Sequence, residues 1–463
     1  MPAIQSLGVG SGLDANAIVT QLLAIERQPI TRLQKAATGI QAEISAFGNV
    51  TAKLDSLESA SNTLKAANTW TATKSSSSDT SALTVSAQNT AEPVTLDVQV
   101  TSLAKAQSAS TAAGAFATSA TAIGTIQTLS ISVGKWVAGS LTDPSPVDVS
   151  LLATDTLAQV RDKINAAAAG VAATILNDAN GARLVIRSDS TGAGNAFKIT
   201  SDAGGSPFSF TVPAAFDQTA TDLTATVNGA AITSSSNTVT NLVEGVTVTA
   251  LKTTSSAVKV SVEKDLEGVK SKLSAFVTAY NDLMSYLRQQ TSYNEATKTG
   301  ATLQGDRLAV GLQGQLKTAV IDTTAASATF SRLSEVGIRL QKDGSLSLDS
   351  SVLDSKLQSL DEVTKLFSRD DASAANDGVA VKLADFIDSV TGTEGSLTQK
   401  TAALRSRLNR NQNDQEKMTD RLALIEARLR AQYTALDKKM AGLSGLSSYV
   451  SQQVQLMNKS TTG

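Results

Sequence analysis

The sequence contains no cysteine and no histidine. Without cysteine there is no disulfide framework, no thiolate metal ligand and no thiol nucleophile. Without histidine the commonest general base and metal ligand are missing, and with them any Ser-His-Asp arrangement. Aromatic residues make up only 4% of the chain, too few for a platform that stacks single-stranded nucleic acid. The formal net charge of -2 gives no global reason to expect nucleic acid or an anionic membrane as partner. No apolar run approaches the roughly 18 residues of a membrane-spanning helix. The start, Met1-Pro2-Ala3-Ile4-Gln5, lacks the basic lead and apolar core of a secretory signal, which taken alone reads as cytoplasmic. The carboxylate pairs Asp370-Asp371 and Asp349 with Asp354 stand in polar stretches and read as solvated charges. The expectation is therefore a protein with no metal and no cofactor that is not an enzyme.

What is present is a chain of 463 residues, 41% hydrophobic and 18% charged, enough for about two to four cored domains. It changes character twice. Residues 1–67 and 263–463 read as helical, whereas the middle is rich in Thr, Ser, Val and Gly and thin in charge. Beyond Pro213 there is no proline, which suits long uninterrupted helices. In the first arm Ile30, Leu33, Ala37, Ile40, Ile44 and Phe47 alternate steps of three and four, a heptad seam. It resumes with a phase shift at Leu54, Leu57 and Leu64, as a stutter would produce. Pro29 marks a break, predicting a short helix at about 14–27 and a longer one after it. Val269, Leu273, Phe276, Tyr280, Leu283 and Leu287 repeat the spacing, as do Leu404, Leu408, Met418, Leu422, Ile425, Leu429, Leu436 and Leu443. In the last of these, Asn411, Gln415 and Gln432 are polar residues in phase with the seam. They either fix register or mark a solvated bundle helix, and the spacing leaves both open.

The middle alternates with period two at Val94, Leu96, Val98, Val100 and at Leu129, Ile131, Val133, with shorter strands at Val147-Asp148-Val149 and Val246-Thr247-Val248. Asn180-Gly181 and Asn228-Gly229 are hairpin signals. One helix interrupts, Asp155 to Ala169, with Leu157, Val160 and Ile164 on one face and Gly170 as its stop. Gly8-Val9-Gly10-Ser11-Gly12 has no preceding strand and no following Lys-Ser/Thr, so it is a lead-in rather than a phosphate loop, with Asp14 capping a helix from Ala15. Asp178-Ala179-Asn180-Gly181 has too few carboxylates for a calcium loop. The arginines at 405, 407, 410, 421, 428 and 430 are interleaved with acids and read as paired along an exposed helix face. Together these features predict an α+β multidomain fold: a helical, coiled-coil stem formed by both chain ends, with β-rich head domains inserted.

Three blocks of residues carry a family resemblance. The first runs from Ser6-Leu7-Gly8-Val9-Gly10-Ser11-Gly12-Leu13-Asp14 through Ile18-Val19 and Gln21-Leu22 to Glu26-Arg27-Gln28-Pro29-Ile30. The second, Asp155-Thr156-Leu157, Ile164-Asn165, Gly170-Val171 and Leu184-Val185-Ile186, is similar to a repeat module shared by flagellin and hook-associated proteins. The third comprises Gly305-Asp306, Leu333 to Ile338, Asp343-Gly344-Ser345-Leu346 and Leu366-Phe367. In this order they resemble the flagellar filament cap family, also called flagellar hook-associated protein 2. Residues 101–125 and 200–222 match nothing in that pattern.

The resemblance implies a secreted, extracellular protein at the distal tip of the bacterial flagellum, exported by the flagellar type III route without a cleaved signal. It would form a small homo-oligomeric ring, promote flagellin polymerisation and stop monomers leaking away. Its partners would be flagellin, copies of itself, a flagellar export chaperone and, in a second reading as an adhesin, mucin or a host surface. Another axial protein is a third reading, against which the Leu-Gly-Val-Gly-Ser-Gly-Leu-Asp opening argues. The expected division places terminal helical segments at 1–40 and 415–463 and the stem at 41–67 and 263–414. One head domain takes 68–125 with 218–262, and a second takes 126–217. Filament or oligomer contact is expected at Leu7, Leu13, Ile18, Leu22, Leu422, Ile425, Leu429, Leu436 and Leu443, apolar positions on a soluble chain that need a partner. Glycan stacking in a head would fall to Trp136, Phe208 and Phe210, which are few.

Overall fold

The computed structural model describes residues 14–142, 145–212 and 215–460. The chain divides into two units, one built from its two ends, up to Ala67 and from Val269 on, the other from Asn68–Gly268 between them. The helical end-built unit and the β-rich insertion are the α+β architecture that the sequence predicts.

The first arm is α1 (Ala15–Glu26) and α2 (Gln28–Lys65), followed by the short α3 (Ala67–Thr71). Asp14 caps α1, its Oδ1 accepting the Ala17 N–H at 2.9 Å. Pro29 sits in the first turn of α2, where a missing N–H costs nothing. The α2 seam is half-buried at Ile30, Leu33 and Ala37, then buried at Ile40, Phe47, Val50, Leu54, Leu57, Ser61 and Leu64. Val50 was not part of the predicted seam. With it, two successive steps of three carry the stripe through the phase shift, which is a stammer and not the stutter expected from the leucines alone.

Among the described residues the inserted unit contains sixteen strands and one further α-helix. In chain order they are β1 (Thr73–Ser77), β2 (Leu83–Ala87), β3 (Val94–Ser102), β4 (Ser108–Ser110), β5 (Gln127–Gly134), β6 (Trp136–Val137), β7 (Ser140–Leu141), β8 (Val147–Leu151), α4 (Leu157–Ala166), β9 (Val171–Asp178), β10 (Gly181–Ser188), β11 (Ala196–Ser201), β12 (Leu223–Val227), β13 (Ala230–Ser234), β14 (Thr238–Val243), β15 (Val246–Ala250) and β16 (Val258–Lys264). They make a five-stranded sheet in the order β1-β16-β3-β12-β13, three three-stranded sheets, β4-β10-β9, β11-β5-β8 and β14-β15-β2, and the two-stranded β6-β7 ribbon. Period-two alternation is realised in β3, where Leu96, Val98 and Val100 are buried. The β12–β13 hairpin turns through Asn228 and Gly229, both at positive φ, the backbone a tight two-residue hairpin demands.

Two apolar clusters fill this unit. One gathers Leu83, Leu96, Val98, Val100, Leu223, Val246, Val248, Val260 and Val262. The other gathers Leu129, Ile131, Leu157, Val160, Ile164, Leu184, Ile186, Phe197, Ile199 and Phe208, with Ala109 and Phe116 from before residue 126. The helix α4 opens with a reciprocal capping box between Thr156 and Gln159 and buries the predicted face Leu157–Val160–Ile164.

The second arm contains α5 (Leu266–Thr291), a β17–β18 hairpin (Tyr293–Asn294, Thr299–Gly300), α6 (Arg307–Ile321), the hairpin β19 (Ile338–Leu340) and β20 (Leu346–Leu348), α7 (Ser350–Lys356), α8 (Leu360–Ser368), α9 (Val379–Thr391) and α10 (Ser396–Ser460). All six predicted seam residues of α5 are buried. Phe276 meets Phe367 of α8 edge-on, ring centres 6.4 Å apart. Gly337 ends a short turn in the left-handed region, and a Cβ there would lie 2.8 Å from the Asp349 carbonyl oxygen. That explains the glycine in the Leu-Ser-Glu-Val-Gly-Ile block.

Candidate assembly surface

Three contacts set the direction of α10 in the helical unit. Lys400 Nζ lies 5.6 Å from the Phe47 ring centre. Pro29, Arg32, Leu33 and Ala36 share a groove with Asp414, Lys417, Met418 and Arg421. Near the start of α1, Arg430 donates to Asn16 Oδ1 at 3.4 Å. Sequence numbers fall on one side as they rise on the other, so α10 runs antiparallel to α1 and α2.

One end of this packing is fastened by Asp306. Its carboxylate caps α6 by accepting the N–H groups of Leu308 and Ala309, and Lys400 reaches it at 2.7 Å. Burial pushes the Asp306 carboxyl up, but the Lys400 ammonium and the capped amides outweigh it and hold the group below the ordinary carboxylate range. The acid of the Gly305-Asp306 block thus ties the start of α6 to α10, whose Lys400 also lies over Phe47 of α2.

Away from that end the burial of α10 fades. Leu397 and Leu404 are buried, whereas Leu408, Asn411, Gln415, Met418, Leu422, Ile425 and Leu429 are half-buried. The in-phase amides Asn411 and Gln415 bond to each other at 2.6 Å within their own helix, and Gln432 is exposed. This fits the solvated-bundle alternative better than a register-fixing role. Past Asp437 every described side chain of α10 is exposed. Leu436, Met440, Leu443, Val450, Val454 and Met457 form one stripe, with Ser447 completing steps of four and three, and Leu443 is 60% exposed. From Lys438 to the last residue there are lysines but no acid.

The contact residues expected from sequence therefore separate into groups. Leu7 and Leu13 lie outside the described residues. Ile18 is half-buried and Leu22 exposed, because α1 turns Ala15, Val19 and Leu23 inward instead. Leu422 and Ile425 share a cleft with Glu26 of α1 and Pro29 of α2, and Leu429 is half-buried one turn further on. Leu436 and Leu443 stand on the open stripe. Sequence reasoning missed Ile25, Met440, Leu446, Tyr449, Val450, Val454, Leu456 and Met457, all exposed. The continuing four-three steps after Leu436 were the signal that could have found half of them: Met440, Val450, Val454 and Met457. In the inserted unit, Phe208 and Phe210 are core residues and Trp136 is partly covered, tilted against Phe216 and donating to Gln107 Oε1. They do not form an open stacking face.

Comparison with known proteins agrees along nearly the whole chain. Residues 11–107 match the family model for the flagellar hook-associated protein 2 N-terminus and residues 220–444 that for its C-terminus. Residues 137–190 match the flagellin hook IN motif. Flagellar hook-associated protein 2 of Escherichia coli K12 is 30% identical over 98% of this chain and 99% of its own length. The chain belongs to the flagellar hook-associated protein 2 family. A further member, the B-type protein of Pseudomonas aeruginosa, is 30% identical over 93% of both chains. The crystal structure of the D1-D2-D3 domains of the Escherichia coli flagellar cap protein FliD superposes with a TM-score of 0.60 at 27% identity, covering 78% of this chain and 99% of that one. No helix among the described residues is long and apolar enough to cross a membrane.

Proposed function

We propose that this chain is a structural subunit of the cap at the distal end of the bacterial flagellar filament, where it promotes flagellin polymerisation and keeps exported monomers from escaping. Family membership over almost the full length supports this reading. The observation that carries its mechanism is the apolar stripe of α10, which leaves the protein's own core after Asp437 and stays exposed. Such a stripe calls for a partner. In the cap it is covered by the filament end and by neighbouring copies, with Leu436 and Leu443 at its start and the α1 flank, Ile18 and Leu22, adding to the contact. Leu7 and Leu13, outside the described residues, are proposed as contacts on the sequence alone. Leu422, Ile425 and Leu429 brace α10 against α1 so that the free part is held out as a helix.

The work is binding and rearrangement without bond chemistry. The terminal segments 1–40 and 415–463 make the filament contact, 41–67 and 263–414 hold them, and the inserted residues 68–262, with their two apolar cores, provide the contacts within the ring. Export through the flagellar type III route suits a chain with no disulfide, and an export chaperone would shield the α10 stripe before assembly. Deleting the gene tests the reading: short or absent filaments with flagellin in the medium, restored by the added-back gene, are expected. Normal filaments with retained flagellin would overturn it.

A further inference from the structure

Among the described residues four carboxamide side chains bond both backbone groups of one residue; Asn237 does so at Ala104, between strands, and the other three do so on a strand. Asn165 of α4 donates from Nδ2 to the Ala173 carbonyl at 3.0 Å and accepts the Ala173 N–H on Oδ1 at 2.7 Å. Gln107 donates to the Phe197 carbonyl at 2.7 Å and accepts the Phe197 N–H at 3.3 Å. Asn281 of α5 donates to the Leu346 carbonyl at 2.8 Å and accepts the Leu346 N–H at 2.6 Å. Each of these three target residues lies on a strand at the margin of its sheet, namely β9, β11 and β20. A carboxamide has the donor and acceptor of a peptide group. One side chain therefore supplies both bonds that an added strand would make at that residue.

In an antiparallel ladder, alternate residues turn their backbone groups toward the paired strand and away from it. With Ala173 turned outward, the outward set on β9 is Val171, Ala173, Ile175 and Asn177. Asn165 occupies the second and leaves only Ile175 and Asn177 in succession. On β11 the outward residues are filled in turn, because Gln107 takes Phe197 and Ile199 exchanges both backbone bonds with Phe210. The edge of β9 is the one that needs guarding most. It is eight residues long, carries exposed side chains at Thr174, Leu176, Asn177 and Asp178, and reads Val-Ala-Ala-Thr-Ile-Leu, an apolar strand sequence. Such an edge is a template for pairing with another copy.

We propose that Asn165, Gln107 and Asn281 are edge plugs that prevent strand addition by a second copy of this chain, with Asn165 guarding β9. In the Ile164-Asn165 pair the isoleucine then fills the core while the asparagine closes the sheet. The inference stands whether or not the chain caps a filament.

The test is light scattering of the full-length protein over a concentration series. Asn165→Ala is compared with wild type and with Val160→Ala, a core truncation on the same helix, with temperature set so that both variants have equal folded fractions. Asn165→Ala is expected to at least double the weight-average mass relative to wild type at the highest concentration, while Val160→Ala follows wild type. Adding Asn177→Pro, which removes an outward N–H without breaking the β9–β10 ladder, is expected to restore the wild-type mass. Asn165→Asp keeps the acceptor, loses the donor and gives a smaller increase. The proposal is overturned if folded Asn165→Ala and Asn165→Asp keep the wild-type mass. It also fails if Val160→Ala associates equally, or if Asn177→Pro leaves the association intact.

Discussion

The helices α5 and α10 carry the same alternation of four- and three-residue steps, yet their seams have different fates. In α5 every seam residue from Val269 to Leu287 is buried. In α10 the seam passes from buried Leu404 through half-buried Met418 and Leu422 to exposed Leu443 and Val454. Periodicity identifies the face of a helix that seeks apolar company, but it does not say whether that company is in the same chain. In α5 it is, and the seam contributes to folding. In the last part of α10 no described residue covers it, and the seam is proposed to serve assembly.

Substitutions at matched positions should separate the two kinds of seam. The largest effect is expected at Leu283→Ala, which opens a cavity in a fully buried site and should cost about 2–5 kcal/mol in urea unfolding. Next comes Asp306→Ala, which removes the α6 cap together with the partner of Lys400. A loss of about 1–2 kcal/mol is expected, with α10 loosened against α2, read as faster amide exchange around Lys400. Tyr280→Phe should move in the opposite direction. The Tyr280 hydroxyl is buried with no hydrogen-bond partner among the described residues, and burial pushes its pKa up, so deleting the oxygen should leave stability unchanged or raise it by up to about 1 kcal/mol.

A smaller effect, visible only in acid, is expected at Glu362. The Lys365 ammonium, the Ser327 hydroxyl and the Ala328 amide bring its carboxyl down to about 2. The folded pKa lies below the unfolded one, so this contribution is full above the unfolded value of about 4.3 and is lost as pH falls toward about 2. Thermal unfolding of Glu362→Gln should therefore fall less steeply than wild type across that window, with its deficit greatest at neutral pH.

Much of the fold was legible because it rests on local signals. The Asp14 cap, the break at Pro29, the α5 seam, the Leu157–Val160–Ile164 face and the Asn-Gly hairpins all depend on residues a few positions apart. The phase shift in α2 was visible, but its form depended on Val50, which only burial distinguishes from its neighbours. What joins distant parts of the chain was not legible. Lys400 meets Asp306 across 94 positions, and Gln107 reaches Phe197 across 90. No pattern in the sequence marks a carboxamide as the plug of a particular edge. The candidate surface was half legible. Leu436 and Leu443 lay on a recognisable seam, whereas the separation of α1 into an inward Ala15–Val19–Leu23 face and an outward Ile18–Leu22 flank required the neighbour itself.

The central claim is that the open end of α10 serves assembly and contributes nothing to the subunit's own stability. It is tested most directly by Leu443→Gln with Val450→Gln, carried on the only copy of the gene in motile cells and purified in parallel. The account predicts thermal unfolding within about 0.5 kcal/mol of wild type, as for exposed sites, together with shortened filaments and flagellin in the medium. Wild-type filaments, or a subunit that has lost as much stability as Leu283→Ala, would contradict it.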